Sequence, residues 1–173
     1  MADDNSIHFS SANYIRRAIH PGEFKTTLRG LARAIKTLTP DVEGIAFRGA
    51  SGSLVAMPLC VLLKKMPMMI RKQDGNHSGS IMEGGHCSNF VIVDDLVDTG
   101  STVRVILDSI AQIYGGHYYE CKGVFCYACD FQNGRPYKYI NTDTENLKQG
   151  NYTSYPNDRA EGSIPVYGAH FSK

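Results

Sequence analysis

The sequence predicts an α/β fold: a three-layer sandwich in which a central, mostly parallel β-sheet lies between helices, with a small cap from the two termini. Two observations lead to this prediction. Short apolar runs alternate with helical segments between residues 40 and 130, and this alternation is typical of a parallel sheet with helices on its faces. The length of 173 residues suits one domain and is rather short for two. We therefore predict a single domain over residues 1–173, with its core at about 40–130 and its cap from 1–39 and 131–173.

The N-terminal segment has apolar residues at helical spacing from Tyr14 to Leu38. The sequence His20-Pro21-Gly22 interrupts this pattern, and Pro-Gly is a strong turn signal. We therefore predict a short helix, a turn, and a second helix from about Glu23 to Leu38.

The first half of the predicted core contains two strands joined by a helix. The apolar run GIAFR, from Gly44 to Arg48, predicts a buried strand. The small residues of GASGS, from Gly49 to Ser53, predict a loop. A helix is predicted from Leu54 to Lys65, with Pro58 near its first turn, and a second strand from Pro67 to Lys72.

The second half of the predicted core begins with a long polar, Gly-rich segment from Gln73 to Ser88. A loop of this length in a compact domain is usually functional or disordered. A third strand is predicted from Asn89 to Asp95, an amphipathic helix from Ser101 to Gly115, and a fourth strand region from Tyr119 to Cys129. Beyond Asp130 the pattern weakens, and only IPVYGAHF near the C-terminus suggests a further strand.

Composition excludes several classes of partner. The formal net charge is +1, so no strong electrostatic field favours nucleic acid. No apolar run approaches the ~20 residues that a membrane helix needs. The N-terminal MADDNSIHFSS is acidic and polar, unlike a secretory signal. We expect a cytoplasmic protein without a membrane partner.

The cysteines allow two interpretations. Their odd number, without an export signal, favours reduced thiols. A zinc site at the Cys126-x-x-Cys129 pair would need two more ligands, which could come from His86, Cys87, His117 and Cys121. The apolar surroundings in GVFCYACDF favour buried free thiols instead.

The sequence FVIVDDLVDTGST joins a buried strand to two acids and then to a small, hydroxyl-rich turn. Asp94 and Asp95 fall at the carboxyl end of the predicted strand, where ligands of open α/β sheets bind. The turn Thr99 to Thr102 leads into a helix N-terminus, whose backbone N–H groups favour phosphate. Carboxylates accept hydrogen bonds from sugar hydroxyls, so a ribose 5-phosphate would satisfy both ends. An ordinary turn with a helix N-cap is the alternative interpretation.

This stretch resembles the phosphoribosyl pyrophosphate (PRPP) signature of the type I phosphoribosyltransferases, and the order of elements from about Gly44 to Asp130 is similar too. The resemblance implies that Asp94 and Asp95 contact the ribose 2- and 3-hydroxyls. It also implies that they help to hold Mg²⁺, mostly through PRPP and water. The 5-phosphate would be held by Asp98, Thr99, Gly100, Ser101 and Thr102.

A second element of the resemblance follows the first predicted strand. The sequence AFRGASG resembles the pyrophosphate loop of the family, and it would bind pyrophosphate through Arg48, Gly49, Ala50 and Ser51. A Gly-rich turn with an Arg and Ser hydroxyls suits that ligand. The alternative for Arg48 is a surface charge in a turn.

A third element is the lid. The sequence IRKQDGNHSGSIMEG resembles the mobile loop of orotate phosphoribosyltransferases, with Arg71, Lys72 and His77 in its outline. It departs from that family where a catalytic Lys is expected, near Gly75, since no Lys follows Lys72 until Lys122. Either Lys72 or His77 supplies the charge, or catalysis is weakened. A solvated loop without chemistry is the alternative.

The resemblance implies an Mg²⁺-dependent transfer of a 5-phosphoribosyl group from PRPP to a nucleobase with release of pyrophosphate, by a homodimer. Arg48 and Lys72 would neutralise the leaving group, and Asp98 would act as a general base. The lid favours orotate as the base and Asp98 favours a purine, so the base stays open. A non-catalytic sensor of PRPP or of a nucleotide is the alternative function.

Recognition of the base is expected from the cap that the N-terminal helices and the segment after Asp130 form. Tyr127, Phe131, Tyr137 and Tyr139 could stack on a flat ring. The alternative is that they cover the edge of the sheet.

Overall fold

A computed structural model of the chain describes residues 15–72, 79–128, 135–142, 153–154 and 161–168. Within these residues, four helices accompany one sheet. The helices are α1 (Arg16–Ile19), α2 (Pro21–Leu38), α3 (Gly49–Leu63) and α4 (Ser101–Tyr114). The strands are β1 (Gly44–Arg48), β2 (Met66–Ile70), β3 (Met82–Gly84), β4 (Asn89–Asp94), β5 (Glu120–Cys126), β6 (Lys138–Ile140), β7 (Thr153–Ser154) and β8 (Ile164–Gly168).

The strands form one mostly parallel sheet in the order β3-β2-β1-β4-β5-β8-β6-β7. β1 lies between β2 and β4 and is parallel to both, and β5 is parallel to β4 and β8. The antiparallel pairs lie towards the edges, where β3 joins β2, and β6 joins β8 and β7. The predicted mostly parallel sheet is confirmed.

The sheet has a core on each face, which gives the predicted three layers. Because side chains alternate along a strand, β1 directs Ile45 and Phe47 into the core that includes α2 and α3, and Ala46 into the core that includes α4. α3 follows β1 and α4 follows β4, so the two helices cover opposite faces. The direction of winding therefore reverses between β1 and β4, and such a switch point leaves a crevice at the carboxyl ends of the strands.

Helix α3 begins at Gly49, five residues before the predicted start at Leu54, so the predicted loop over Gly49–Ser53 is wrong. Gly49 has a φ of +71°, which lets the chain turn from strand directly into helix. Gly52 packs so close to the sheet that a β-carbon there would lie 3.3 Å from the carbonyl oxygen of Val93. Glycine and serine have low helix propensity, but tertiary contacts override that preference.

Proline also occupies different helical positions from those predicted. Pro58 lies in the interior of α3 and not in its first turn. Helix α2 begins at Pro21, two residues before the predicted start, because proline suits the first helical position.

Strand β3 falls inside the segment that the sequence predicted to be a loop. It pairs with β2, with Met82 opposite Ile70. A strand of three residues is too short for its side-chain periodicity to be recognised.

The described parts of the C-terminal segment extend the sheet, where the sequence predicted part of a cap. Strand β8 pairs with β5 through Val166 and Val124, and both side chains are fully buried. Strands β6 and β7 then continue the sheet beyond β8. These strands have two to five residues each, and polar segments separate them, so the sequence pattern revealed only the last.

No helix in the described part of the chain is long and apolar enough to span a membrane.

Candidate active site

A cavity of about 550 Å³ opens at the carboxyl ends of β1 and β4, at the switch point of the sheet. Its volume is in the range of small-molecule sites. Twelve of the residues that the sequence predicted for the site line this cavity: Arg48, Gly49, Ala50, Ser51, Lys72, Asp94, Asp95, Asp98, Thr99, Gly100, Ser101 and Thr102. The structure therefore brings together three segments that are separate in the sequence.

The loop between β4 and α4, residues 95–100, is here called the anion loop. It ends at Gly100, the N-cap of α4, whose φ of 86° and lack of a side chain suit a tight turn. Glycine offers no side-chain acceptor to the N–H groups of the first helical turn, so those after Ser101 remain available to a ligand at the positive end of the helix dipole. Thr99 Oγ1 accepts a hydrogen bond from the Ser101 N–H at 3.3 Å and lies 3.2 Å from Ser101 Oγ. Hydroxyl groups and backbone amides thus converge as the sequence predicted.

Asp94 is a buried acid, with 5% of its surface exposed. Burial, and secondly the neighbouring Asp95 carboxylate, raise the pKa of Asp94 to about 7. Its Oδ1 accepts a hydrogen bond from the Asp95 N–H at 2.9 Å. A buried acid is stabilised by a ligand that donates hydrogen bonds or carries positive charge.

Asp95 is partly exposed, and its Oδ1 accepts a hydrogen bond from the Leu96 N–H at 2.6 Å. The backbone of both acids is held by the end of β5, because the N–H groups of Tyr127 and Ala128 donate to the carbonyl oxygens of Asp94 and Asp95 at 3.1 and 2.8 Å. The two acids are therefore fixed at the rim of the cavity.

Two cationic side chains, Arg48 and Lys72, also line the cavity. Arg48 Nε is buried and has no hydrogen-bond partner in the described part of the chain, and a buried donor of this kind calls for an acceptor. Lys72 lies against the strand–helix junction, since a β-carbon on Gly49 would lie 3.3 Å from Lys72 Cε and 3.7 Å from its Nζ. These positive groups at a glycine turn suit an anionic ligand.

Of the other two residues of the predicted lid, the structure describes only Arg71, and Arg71 does not line this cavity. Arg71 Nη1 forms an ion pair with Glu83 Oε1 at 2.8 Å, which links the ends of β2 and β3. In this arrangement the acid that binds Arg71 comes from a strand that the sequence did not predict, and the role of Arg71 in the lid stays a prediction. His77 lies outside the described residues, so its predicted role stays a prediction.

Three of the four aromatic candidates for stacking on a base are described, and none of these three lines the cavity. Tyr127 is fully buried, and its hydroxyl donates to the Ser51 carbonyl at 3.0 Å. Tyr139 is buried in β6, and Tyr137 donates to the Val97 carbonyl at 3.2 Å. The stacking prediction is therefore wrong for Tyr127 and Tyr139, while Phe131 lies outside the described residues.

Sequence reasoning missed the apolar part of the cavity wall. Ile15, Leu96 and Val97 line the cavity. Leu96 and Val97 lie between the two acids and Asp98 in the sequence. Their position within a predicted site segment was a signal that they could line the site. The N-terminal helices were expected to help recognise the base, but nothing in the sequence singled out Ile15 among their apolar residues.

The cysteines of the described residues are free thiols. They are Cys60, Cys87, Cys121 and Cys126. Burial raises the pKa of Cys60 to about 11 and that of Cys121 to about 12. No group of three His, Cys, Asp or Glu side chains in this part of the chain could hold a metal ion, and Cys129 lies outside it.

Comparison with known proteins identifies the fold. No family model matches the sequence, and no curated protein matches it. The orotate phosphoribosyltransferase of Aeropyrum pernix matches with a TM-score of 0.55 and 12% identity, over 86% of this chain and 71% of that one. The orotate phosphoribosyltransferase of Francisella tularensis gives 0.53 and 13%, over 88% and 68%. The adenine phosphoribosyltransferase of Leishmania tarentolae gives 0.52 and 17%, over 87% and 71%.

Proposed function

We propose that this chain, which has the fold of the orotate and adenine phosphoribosyltransferases, transfers the 5-phosphoribosyl group of PRPP to a nucleobase and releases pyrophosphate. The observation that carries this proposal is the composition of one cavity. Buried Asp94 adjoins the start of α4 on one side, and Arg48 Nε lies buried without a protein acceptor on the other, within the described residues.

The ribose 5-phosphate end of the substrate suits the anion loop. The amides and hydroxyl groups of Thr99 to Thr102 would bind the phosphate. Asp94 and Asp95 would accept hydrogen bonds from the ribose hydroxyls. For Asp94, these hydrogen bonds would replace those to water that it loses by burial.

The pyrophosphate end suits the junction of β1 and α3. In the reaction the bond between ribose C1 and the pyrophosphate oxygen breaks, and a bond between C1 and a nitrogen of the base forms. Negative charge grows on the leaving group, so Arg48 and Lys72 stabilise the transition state. Lys72 reaches the Gly49 turn. It would supply the positive charge that the lid of orotate phosphoribosyltransferases carries on a Lys at the position of about Gly75.

Mg²⁺ fits this arrangement. It prefers oxygen ligands and is usually bound through one or two carboxylates together with substrate phosphates, and Asp94 and Asp95 offer such carboxylates at the cavity rim. When bound, the ion supplies positive charge to the pyrophosphate.

The base would lie against the apolar wall formed by Ile15, Leu96 and Val97. These side chains suit a flat ring and exclude water, which would otherwise attack the positively charged sugar. Asp98 lines the same cavity and is exposed, so it is available to take a proton from the base nitrogen. The base is orotate or a purine.

The proposal is tested by incubating the protein with PRPP, Mg²⁺ and each of orotate, uracil, adenine, guanine, hypoxanthine and xanthine, and measuring released pyrophosphate. We expect release with one base or a closely related pair. In the Asp94→Asn/Asp95→Asn variant, PRPP should bind about 100-fold more weakly, because two hydrogen bonds to charged groups are lost. Tight PRPP binding without release would favour the sensor instead. Unchanged binding by the double variant would place the sugar site elsewhere.

A homodimer remains part of this proposal. Helix α3 has no charged residue, and it exposes Leu54, Met57, Val61 and Leu62. An apolar surface of this kind is suited to burial against a second copy. The molecular mass in solution, measured by light scattering, checks this expectation.

A further inference from the structure

The start of β6 contacts the anion loop, although the two are far apart in the sequence. The Tyr137 hydroxyl donates a hydrogen bond to the Val97 carbonyl oxygen at 3.2 Å. Lys138 Nζ donates to the Asp98 carbonyl oxygen at 3.1 Å. Each contact joins residues 40 positions apart. Two consecutive residues of the C-terminal segment therefore hold two consecutive carbonyl groups of the cavity wall.

Residues that follow β5 also hold the acids at the start of the anion loop. The backbone N–H groups of Tyr127 and Ala128, after β5, donate to the carbonyl oxygens of Asp94 and Asp95. With the contacts from β6, four of the five carbonyl groups from Asp94 to Asp98 accept hydrogen bonds from residues beyond β5. These carbonyl oxygens are engaged by protein donors and do not offer their negative partial charge to the cavity.

Tyr137 is itself firmly placed. Its N–H donates to the Val166 carbonyl at 3.0 Å, and its ring packs against the core on the α4 face. Val166 is fully buried in β8, which pairs with β5. The sheet thus holds the Tyr137 hydroxyl in place, so this hydroxyl can fix the position of the Val97 carbonyl group.

We propose that Tyr137 and Lys138 are positioning residues for the anion loop, and that they keep its carbonyl oxygens away from the phosphate of a bound sugar phosphate. This inference rests on the proposed function. Carbonyl oxygens that turn into an anion site repel its ligand, whereas donors that hold them leave the amides to face it. Lys138 also adds a positive charge near the loop, which strengthens the attraction of a phosphate.

The inference is tested with ribose 5-phosphate as the probe, by titration calorimetry on the full chain. Tyr137→Phe keeps the ring and loses only the hydroxyl, and Lys138→Met keeps the length and loses the charge. We expect each to weaken binding about fivefold, as expected for one hydrogen bond. Lys138→Arg retains a charged donor and should bind within about twofold of the wild type.

Matched controls lie at the opposite end of β5. Tyr118 and Lys122 both contact Glu120 there, at 2.9 and 2.5 Å, outside the cavity lining. Tyr118→Phe and Lys122→Met make the same chemical changes and should leave binding of ribose 5-phosphate unaltered.

Kinetics separate positioning from a general structural effect. For the base that the protein accepts, the KM for PRPP should rise about fivefold in Tyr137→Phe, while kcat stays within about twofold. A fall in kcat at constant KM would overturn the inference, as would wild-type affinity for ribose 5-phosphate in both Tyr137→Phe and Lys138→Met. Failure of the wild type itself to bind ribose 5-phosphate would overturn the proposed function.

Discussion

Asp94 shows how the position of one residue changes its chemistry. The sequence indicates an acid at the end of a strand with a second acid beside it, but it is chiefly burial, and secondly Asp95, that raises the pKa of Asp94 from an ordinary value of 3.8 to about 7. Between these values the folded protein keeps a proton that the unfolded chain releases. The native state then binds more protons, so the free energy of unfolding falls as the pH rises through this range and levels off above it.

We expect the Asp94→Asn variant to lack this loss of stability. Between pH 3.8 and about 7 the wild type should lose up to about 4 kcal/mol relative to the variant, as measured by urea unfolding in the absence of ligand. Asp108→Asn, on the exposed side of α4, is a control that should change stability by less than about 0.5 kcal/mol. Parallel pH profiles for the wild type and Asp94→Asn would contradict the burial argument.

The residues of the site were predictable because their neighbours in the sequence identify them. Asp94, Asp95 and the turn that follows form a continuous stretch, and Arg48 precedes a glycine at a strand end. The ion pair of Arg71 was not predictable, because the acid that binds it lies on β3 and is 12 residues away. A local pattern carries no information about such a partner.

At the scale of elements, the glycines at the two ends of helix α4 allow an effect on stability to be distinguished from an effect on ligand binding. Gly100 at the N-cap has a φ of 86°, and Gly115 at the C-cap has a φ of 56°. Both are left-handed conformations that an L-residue adopts at a cost of about 1 kcal/mol. Only Gly100 lines the cavity.

Gly100→Ala and Gly115→Ala therefore form a matched pair. Each should lower the free energy of unfolding by about 1 kcal/mol. Gly100→Ala should also weaken the binding of ribose 5-phosphate, because strain at the N-cap displaces the amides that face the phosphate, whereas Gly115→Ala should not. Thermal unfolding and calorimetry measure the two effects, and equal affinities in the two variants would show that the turn does not shape the anion site.

At the scale of the whole molecule, the topology of the sheet brings the residues of the site together. Arg48 ends β1, Lys72 follows β2, and Asp94 ends β4. These three strands are adjacent and parallel, so their carboxyl ends meet at one edge of the sheet. The strands beyond β5 extend the sheet. At the start of β6, Tyr137 and Lys138 support the anion loop through hydrogen bonds.

Removal of divalent metal tests the molecule as a whole. In excess EDTA we expect pyrophosphate release to fall about 100-fold or more, because several kcal/mol of charge stabilisation in the transition state is lost. Added Mg²⁺ should restore it. The melting temperature of the free protein should not change, since the described residues form no cluster of three metal-ligating side chains. Full turnover without Mg²⁺ would contradict the proposed role of the ion.

The sequence by itself determined the alternating α/β order, the acids at the end of β4 and the glycine turn before α4, because each is written in residues that are neighbours along the chain. The tertiary structure alone decided the ionisation of Asp94, the ion pair of Arg71, the early start of α3 and the support of the anion loop by Tyr137 and Lys138. Those features depend on burial and on contacts between residues that are far apart in the sequence, as Tyr127 and Ser51 are at 76 positions. Local sequence patterns do not encode such distances; packing around the sheet does.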